Sequence, residues 1–179
     1  PTQPTRPSGL KQAVLSGAQV PLPFWAHSFS LPNLYANHYL VVMLNGLVLI
    51  GGKSTRMGTE KYQLAYNGKA QYLHVIDLLT EIDIPTYVSC NAQQIDQIEK
   101  ATQIIPDEYQ AIGPMGGILS AMRFNPKASW LVIACDLPLI SSNTIEELIA
   151  NRKQDADVTT FQLNDRFFET TYSIYEPSA

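Results

Sequence analysis

Short apolar runs alternate with amphipathic segments from residue 44 onward, and the two spacings predict strands and helices in turn. The apolar runs that predict strands are residues 47–50, 86–90, 103–105, 130–135 and 158–161, with a last strand at 169–175. Helical spacing covers residues 72–81, 95–101, 115–123 and 143–152, and Ser142 is the expected N-terminal cap of the last of these helices. This alternation is typical of βαβ units around a mostly parallel sheet, whose ligand site lies where the strands end.

Residues 1–43 lack this alternation and carry half of the prolines, which predicts an extended, Pro-rich tail or linker ahead of one domain at residues 44–179. Five aromatic rings in this stretch could instead dock on a partner or on the domain surface: Phe24, Trp25, Phe29, Tyr35 and Tyr39. A sheet of this kind ordinarily has a covering helix after its last strand, so the domain is expected to be truncated at its C-terminus.

Composition and charge exclude several classes of protein. No apolar stretch reaches the roughly 18 residues of a membrane span. Cys90 and Cys135 lie in apolar runs without metal-ligand spacing, and the three histidines also lack such spacing, which predicts reduced, buried thiols in a cytoplasmic protein without zinc. The net charge of -4 and the absence of basic runs argue against nonspecific nucleic-acid binding. The first acid is Glu60, so a small anion is expected to bind near residues 53–61.

The loop after the first predicted strand, residues 51–61, has three glycines and three cationic residues. Glycines let backbone N–H groups approach phosphate oxygens, and cations neutralise the remaining charge. The alternative is an ordinary turn with exposed basic side chains. A Walker A motif is excluded because Leu47 stands where its first glycine is required, and Gly-x-Gly-x-x-Gly has no match here.

The pattern Leu-x-Gly-Gly-x-Ser-x-Arg-Met-Gly-x-acid-Lys at positions 49–61 resembles the signature of molybdenum cofactor guanylyltransferases, within the larger nucleotidyltransferase group. The resemblance continues through Asn67-Gly68-Lys69, Asn91-Ala92, Pro106-Asp107, residues 113–117 and residues 135–138, and it covers about residues 44–177. Residues 1–43 have no counterpart in the family pattern. Ile50 and Glu60 replace the commoner Ala and Asp, and neither replacement changes the charge.

The resemblance implies a three-layer α/β/α sandwich with a mostly parallel, Rossmann-like sheet, of the nucleotide-diphospho-sugar transferase type. It implies transfer of GMP from GTP to the molybdopterin cofactor, with Mg2+ as cofactor, and docking to other cofactor-assembly proteins is also expected. The residues that match catalytic positions of the family are Arg56, Lys61 and Asp136, and Asp136 also matches the metal ligand. The residues that match nucleotide-binding positions are Leu49, Ile50, Gly51, Gly52, Ser54, Lys61, Asn91, Asp107, Gly113 and Asp136.

Three of these positions have alternatives that the residues alone leave open. Asp107 and Glu108 could form a second acidic cluster or belong to a solvated turn. Asp136 ends an apolar strand, where an unpaired buried carboxylate is costly, which favours a magnesium ligand over a helix cap or a salt-bridged acid. The glycines at 113, 116 and 117 precede a helix whose N–H groups could bind ligand oxygens, or they serve tight packing.

Two other functions compete with guanylyl transfer. The first is a cytidylyltransferase, or another nucleotidyltransferase acting on a small phosphorylated substrate. Gly51 argues against cytidylyl transfer, because cytidylyl relatives commonly carry Ala there and the smaller residue leaves room for a purine. The second is a nucleotide-binding module without catalysis.

Overall fold

The structure, a computed structural model, describes residues 11–15, 44–50, 65–66, 69–98, 102–109, 111–137, 139–164, 166–177 and 179. The strands in this part of the chain are β1 (Lys11–Leu15), β2 (Leu44–Leu49), β3 (Ala65–Tyr66), β4 (Lys69–Ala70), β5 (Thr86–Cys90), β6 (Gln103–Pro106), β7 (Ser129–Ala134), β8 (Val158–Asn164) and β9 (Phe167–Tyr175). The helices are α1 (Gln71–Glu81), α2 (Pro114–Phe124) and α3 (Ser142–Ala150), and a short 3-10 helix covers Ile95–Gln97.

Seven of the described strands form one sheet in the order β1-β8-β9-β7-β2-β5-β6, while β3 and β4 form a separate hairpin. Strands β7, β2, β5 and β6 pair in parallel, whereas β9 is antiparallel to both β7 and β8. Strand β8 therefore points the same way as β7, and β1, which is antiparallel to β8, points the other way. Five of the seven strands share one direction, so the predicted α/β class with a mostly parallel sheet is confirmed, although the sheet is mixed.

Helices cover both faces of the sheet, because the inner strands send alternate side chains to opposite faces. On one face, Val48 and Ile133 pack with α1 and α3. On the other face, Leu47 and Val132 pack with α2. Burial on both faces explains why β2 and β7 are nearly continuous apolar runs, which made them easy to predict. The predicted three-layer α/β/α sandwich is confirmed.

Two local predictions are wrong. The helix expected at residues 95–101 is a single 3-10 turn, Ile95–Gln97, because Ile98 adopts an extended backbone (φ -88°, ψ 143°) and buries its side chain. Residues 99–101 lie outside the described part of the chain. The N-cap of α3 is Ser141 instead of Ser142: the Ser141 hydroxyl accepts from the Thr144 N–H at 3.4 Å, and the Thr144 hydroxyl accepts from the Ser141 N–H at 3.3 Å. This reciprocal capping box fixes the start of the helix one residue earlier.

The N-terminal 43 residues contribute one described element. Lys11–Leu15 forms β1, which extends the sheet by pairing antiparallel with β8. The remaining residues of this stretch up to 43, with all five aromatic rings named above, lie outside the described residues. The proposed boundary between a tail and a domain at residue 44 stays a prediction.

Candidate functional site

The four parallel strands end along one edge of the sheet, which we call the site edge. In the register of the sheet, Leu49 lies opposite both Ser89 and Ala134, and Cys90 lies opposite Pro106. The residues just beyond these strand ends include four of the predicted site residues: Ile50, Asn91, Asp107 and Asp136. The fold therefore brings together positions that are far apart in the sequence, at the place where α/β sheets bind ligands.

The predicted phosphate loop begins at the site edge, but its residues lie outside the described part of the chain. These are Gly51, Gly52, Ser54, Arg56 and Lys61. Ile50 is the last described residue before the loop, and β2 lies between β5 and β7 in the sheet. The chain therefore enters the loop in the middle of the site edge, and the contacts of these five residues stay predictions.

Leu49 and Ile50 are anchored at the end of β2. Their side chains are buried, one on each face of the sheet. The Leu49 carbonyl accepts from the Cys135 N–H at 3.1 Å, and the Ile50 N–H donates to the Ser89 carbonyl at 3.2 Å. The Gln94 side-chain amide donates to the Ile50 carbonyl at 3.5 Å. Both residues thus fix the point at which the loop leaves the sheet, and their contact with a nucleotide stays a prediction.

Asp107 is held at the end of β6 by two bonds from β5. Its backbone N–H donates to the Cys90 carbonyl at 2.8 Å, and its Oδ1 atom accepts a hydrogen bond from the hydroxyl of the buried Ser89. Burial raises the pKa of the Asp107 carboxyl above its ordinary value, and the Ser89 hydroxyl offsets part of this rise. The result is a half-buried carboxyl with a fixed orientation, suited to accept hydrogen bonds from a ligand.

The cysteine next to Ser89 lies in the core. Burial raises the pKa of the Cys90 thiol to about 11, and the nearby Asp107 charge contributes a smaller part of this rise. The thiol is therefore protonated at neutral pH and unsuited to act as a nucleophile. Cys135 is also buried, and neither cysteine forms a disulfide, so the prediction that both thiols are buried is confirmed.

Asn91 follows β5 and shapes the turn after it. Its Oδ1 atom accepts from the backbone N–H groups of Gln93, at 2.9 Å, and Gln94, at 3.2 Å. The side-chain oxygen is therefore occupied by the turn, while the side-chain NH2 group makes no hydrogen bond to the described residues. A half-buried amide donor at the site edge can bind an acceptor atom of a ligand.

The glycines at the start of α2 have different roles. A Cβ atom at Gly117 would collide with the Ser89 hydroxyl and lie 2.8 Å from Leu49 Cδ2, so tight packing accounts for this glycine. The same holds for Gly116, which packs against the Tyr109 carbonyl. Gly113 is different, because no atom would lie within 4 Å of an added Cβ atom and its φ is +65°, a conformation that other residues rarely adopt. Gly113 is the uncapped N-cap of α2 at the site edge, so ligand binding stays a prediction there alone.

Asp136 lies two residues beyond the end of β7, and its side chain is exposed. The argument that a buried lone carboxylate is costly is therefore wrong for this residue. The helix-cap alternative is also excluded for the helix that follows, because Ser141 caps α3. Its backbone neighbours are fixed: the Cys135 N–H bonds to β2, and the Leu137 carbonyl accepts from the Gln71 side-chain amide at 3.0 Å.

Sequence reasoning missed several buried polar side chains that hold the site edge. Ser89 and Gln94 donate to the predicted site residues Asp107 and Ile50. Gln71 donates to Leu137, next to Asp136, and Ser120 donates to Gly116 in α2. Gln71 and Gln94 have a residue type that usually faces solvent. A signal existed for Gln71, since it lies on the same helical face as the buried Tyr72, Val75 and Leu79.

Apolar side chains are exposed around the site edge. Strand β9 is antiparallel to β7, so its first residue, Phe167, lies at the edge where β7 ends. We call the exposed residues Ile112, Met115, Leu139 and Phe167 the apolar rim. Ile112 and Met115 follow β6, whereas Leu139 follows β7 and Phe167 begins β9, so the rim flanks the site edge at two separate places. The rim is suited to contact the flat rings of a ligand.

Two further features concern metals and membranes. Among the described residues, there is no group of three or more His, Cys, Asp and Glu side chains arranged to hold a metal ion. No helix in the described part of the chain combines the length and apolar character needed to cross a bilayer.

Comparison with known proteins identifies the family. The chain is 37% identical to the molybdenum cofactor biosynthesis bifunctional protein of Synechocystis over 76% of this chain and 40% of that protein. It is 31% identical to a probable molybdenum cofactor guanylyltransferase of Flavobacterium johnsoniae over 66% of this chain and 61% of that protein. The chain thus spans about half the length of these relatives.

The fold is similar to the crystal structure of molybdopterin-guanine dinucleotide biosynthesis protein A from Archaeoglobus fulgidus. The TM-score is 0.59 at 23% identity, over 75% of this chain and 68% of that one. The family model of the MobA-like NTP transferase domain matches residues 46–178. Because this match covers well over half of the chain, the chain belongs to the MobA-like NTP transferase domain family.

Proposed function

We propose that this protein transfers GMP from GTP to the molybdopterin cofactor, forming the guanine dinucleotide cofactor and releasing pyrophosphate. The observation that carries this proposal is the meeting of Ile50, Asn91, Asp107 and Asp136 at one edge of a sheet that belongs to an NTP transferase family. Relatives named molybdenum cofactor guanylyltransferase support the choice of nucleotide and acceptor.

The residues at the site edge divide the work of binding GTP. The backbone of Gly51, Gly52 and Ser54 binds the base or the phosphates, and Arg56 and Lys61 neutralise the phosphate charge. The remaining recognition falls on residues outside this loop. The Asn91 amide binds an acceptor atom of the base, and the Asp107 carboxylate accepts hydrogen bonds from the base or the ribose.

A magnesium ion fits this arrangement. Asp136 offers an exposed carboxylate at the end of β7, and Mg2+ typically binds one or two carboxylates and completes its shell with phosphate oxygens and water. When bound, the ion would neutralise charge on the triphosphate.

The reaction needs positioning and charge neutralisation. A phosphate oxygen of the acceptor attacks the α-phosphorus of GTP and forms a new P–O bond, while the bond from that phosphorus to the β-phosphate oxygen breaks. Pyrophosphate leaves with the electron pair of the broken bond. No general base is required, since the attacking phosphate is ionised at neutral pH. The protonated thiol of Cys90 takes no part.

The apolar rim supports the choice of an acceptor with flat rings. The exposed rings and aliphatic chains of Phe167 and Leu139 flank the Asp136 end of the site edge. The pterin would lie against this rim, with its phosphate directed toward Asp136. We place the protein in the cytoplasm, in keeping with two buried cysteines that form no disulfide.

A nucleotide comparison tests the proposal. Pyrophosphate release is measured with molybdopterin cofactor and Mg2+, with either GTP or CTP as the donor and Asp136→Asn as the inactive control. We expect turnover with GTP and none with CTP. Turnover with CTP alone would identify a cytidylyltransferase instead, and GTP binding without turnover would identify a non-catalytic module.

A further inference from the structure

Gln71 is the first residue of α1, and its side chain is fully buried. Its amide nitrogen donates a hydrogen bond of 3.0 Å to the carbonyl of Leu137, the residue directly after Asp136. The residues are 66 positions apart in the sequence. One side chain thus connects the start of α1 to the segment that carries the exposed carboxylate.

The backbone around Asp136 is fixed on both sides. Before it, the Cys135 N–H donates to the Leu49 carbonyl at 3.1 Å, which attaches the segment to the end of β2. After it, the Leu137 carbonyl accepts from Gln71 and, at 3.3 Å, from the Ile140 N–H. The Asp136 side chain, between these two anchored positions, is exposed.

Helix α1 is a rigid support for this contact. Tyr72, Val75 and Leu79 lie on the same face of the helix as Gln71 and are buried in the core between α1 and the sheet. The helix start therefore does not shift relative to the sheet. The N-cap residue, Ala70, has no side-chain cap of its own. The position of the Leu137 carbonyl therefore follows from the packing of α1 through the Gln71 amide.

Stability alone does not account for a glutamine here. The Gln71 Oε1 atom is buried and has no hydrogen-bond partner among the residues that the structure describes. An unsatisfied buried carbonyl destabilises a fold, whereas an apolar side chain of similar length would fill the same space without that loss. Gln71 thus has a destabilising oxygen atom and makes one hydrogen bond, to Leu137. This combination is expected when the hydrogen bond serves function.

We infer that Gln71 is a positioning residue that holds the Leu137 backbone so that the Asp136 carboxylate meets the magnesium-nucleotide complex. This inference rests on the proposed function, in which Asp136 binds the ion. It differs from a direct role, because Gln71 is buried and reaches the ligand only through the Asp136 segment.

The test is Gln71→Met in the full chain, a change that keeps the length of the side chain and removes both polar atoms. Thermal unfolding is measured without ligand, and GTP binding is titrated by calorimetry over a range of Mg2+ concentrations. We expect an unfolding temperature equal to or above that of the wild type. The Mg2+ concentration for half-maximal GTP binding should rise roughly tenfold, since small displacements of a positioned group have large effects.

Two further variants complete the design. Gln103→Met changes an exposed glutamine at the start of β6, on the opposite edge of the sheet, and should alter none of these measurements. Asp136→Asn should remove the Mg2+ dependence of GTP binding. If it does so while Gln71→Met behaves like the wild type, the inference is overturned and the proposed function stands.

Other outcomes are equally decisive. A lower unfolding temperature or a failure to fold in Gln71→Met would assign Gln71 a structural role and overturn the inference. Unchanged Mg2+ dependence in Asp136→Asn would overturn the proposed metal role of Asp136, and the inference with it.

Discussion

Arg152 and Glu176 form a buried ion pair that closes the edge of the sheet opposite the candidate site. The Arg152 Nε atom lies 2.6 Å from Glu176 Oε1, and both side chains are only 2% exposed. The second carboxylate oxygen accepts from Arg152 Nη2 at 2.7 Å and from the Ser129 hydroxyl at 2.7 Å. The pair joins the end of α3 to the residue after β9, and Ser129 adds the start of β7.

Glu176→Ala should destabilise the fold by about 3–5 kcal/mol, because it leaves the guanidinium buried without its carboxylate. Chemical denaturation measures this change. GTP binding well below the unfolding temperature should be unaffected, since β7 begins at Ser129 and reaches the site edge only at Ala134.

The double variant Arg152→Met/Glu176→Leu is the matched control. Replacing both charges with apolar groups should bring the stability back to within about 1 kcal/mol of the wild type, or above it. If the double variant is as unstable as Glu176→Ala, the loss reflects packing at this edge and not an uncompensated charge.

Asp107→Asn should stabilise the fold at neutral pH. Burial raises the pKa of the Asp107 carboxyl above its ordinary value of 3.8, with the Ser89 hydrogen bond offsetting part of the rise. The folded state therefore holds this proton more tightly than the unfolded state, and the stability it contributes is lost as the pH rises through the folded pKa. Asparagine stays neutral at every pH. The gain in the free energy of unfolding over the wild type should therefore be largest above that pKa and should vanish below pH 3.8.

The same variant should weaken GTP binding roughly tenfold at neutral pH, the typical effect of losing one hydrogen bond to a charged group. Denaturation at several pH values and calorimetry with GTP measure the two effects separately. A variant less stable than the wild type at pH 7 would mean that the ionised carboxylate is favourably held in the fold.

Gly117→Ala should destabilise the protein by about 1–3 kcal/mol, because α2 lies too close to the sheet for a methyl group. The added Cβ would collide with the Ser89 hydroxyl and lie 2.8 Å from Leu49 Cδ2. Ser89→Ala in the same chain removes the hydroxyl and should restore part of the stability. No recovery in the double variant would place the strain at Leu49 instead.

The sequence predicted the strands and helices whose burial follows a simple period. Strands β2 and β7 are buried on both faces, so their apolar runs stand out, and α1 follows from the spacing of Val75 and Leu79. The register of the sheet, which sets Leu49 opposite Ala134, depends on pairing between distant segments and has no local signal. The antiparallel pairing of β9 with β7 has no local signal in the sequence either.

The sequence offers candidate site residues where they belong to a recognisable motif, and it does not point to the residues that support them. Asp107 and Asp136 follow apolar strands, and a polar residue there is conspicuous. Ser89 and Gln71 act through hydrogen bonds to groups 18 and 66 residues away, which only the folded chain brings together. The exposure of Asp136 could not be predicted from the sequence either, because it depends on how the turn after β7 packs.

Phe167→Ala should weaken binding of the acceptor and leave binding of GTP unchanged. Phe167 is 63% exposed at the site edge, where it flanks the Asp136 side of the sheet. An aromatic contact is worth about 0.5–1.5 kcal/mol, so the KM for molybdopterin cofactor should rise roughly three- to tenfold while the KM for GTP stays the same. Phe124→Ala is the matched control, since Phe124 is 59% exposed but lies at the far end of α2, where its ring contacts Tyr87. Equal effects of the two variants on the acceptor would show that the rim has no specific role.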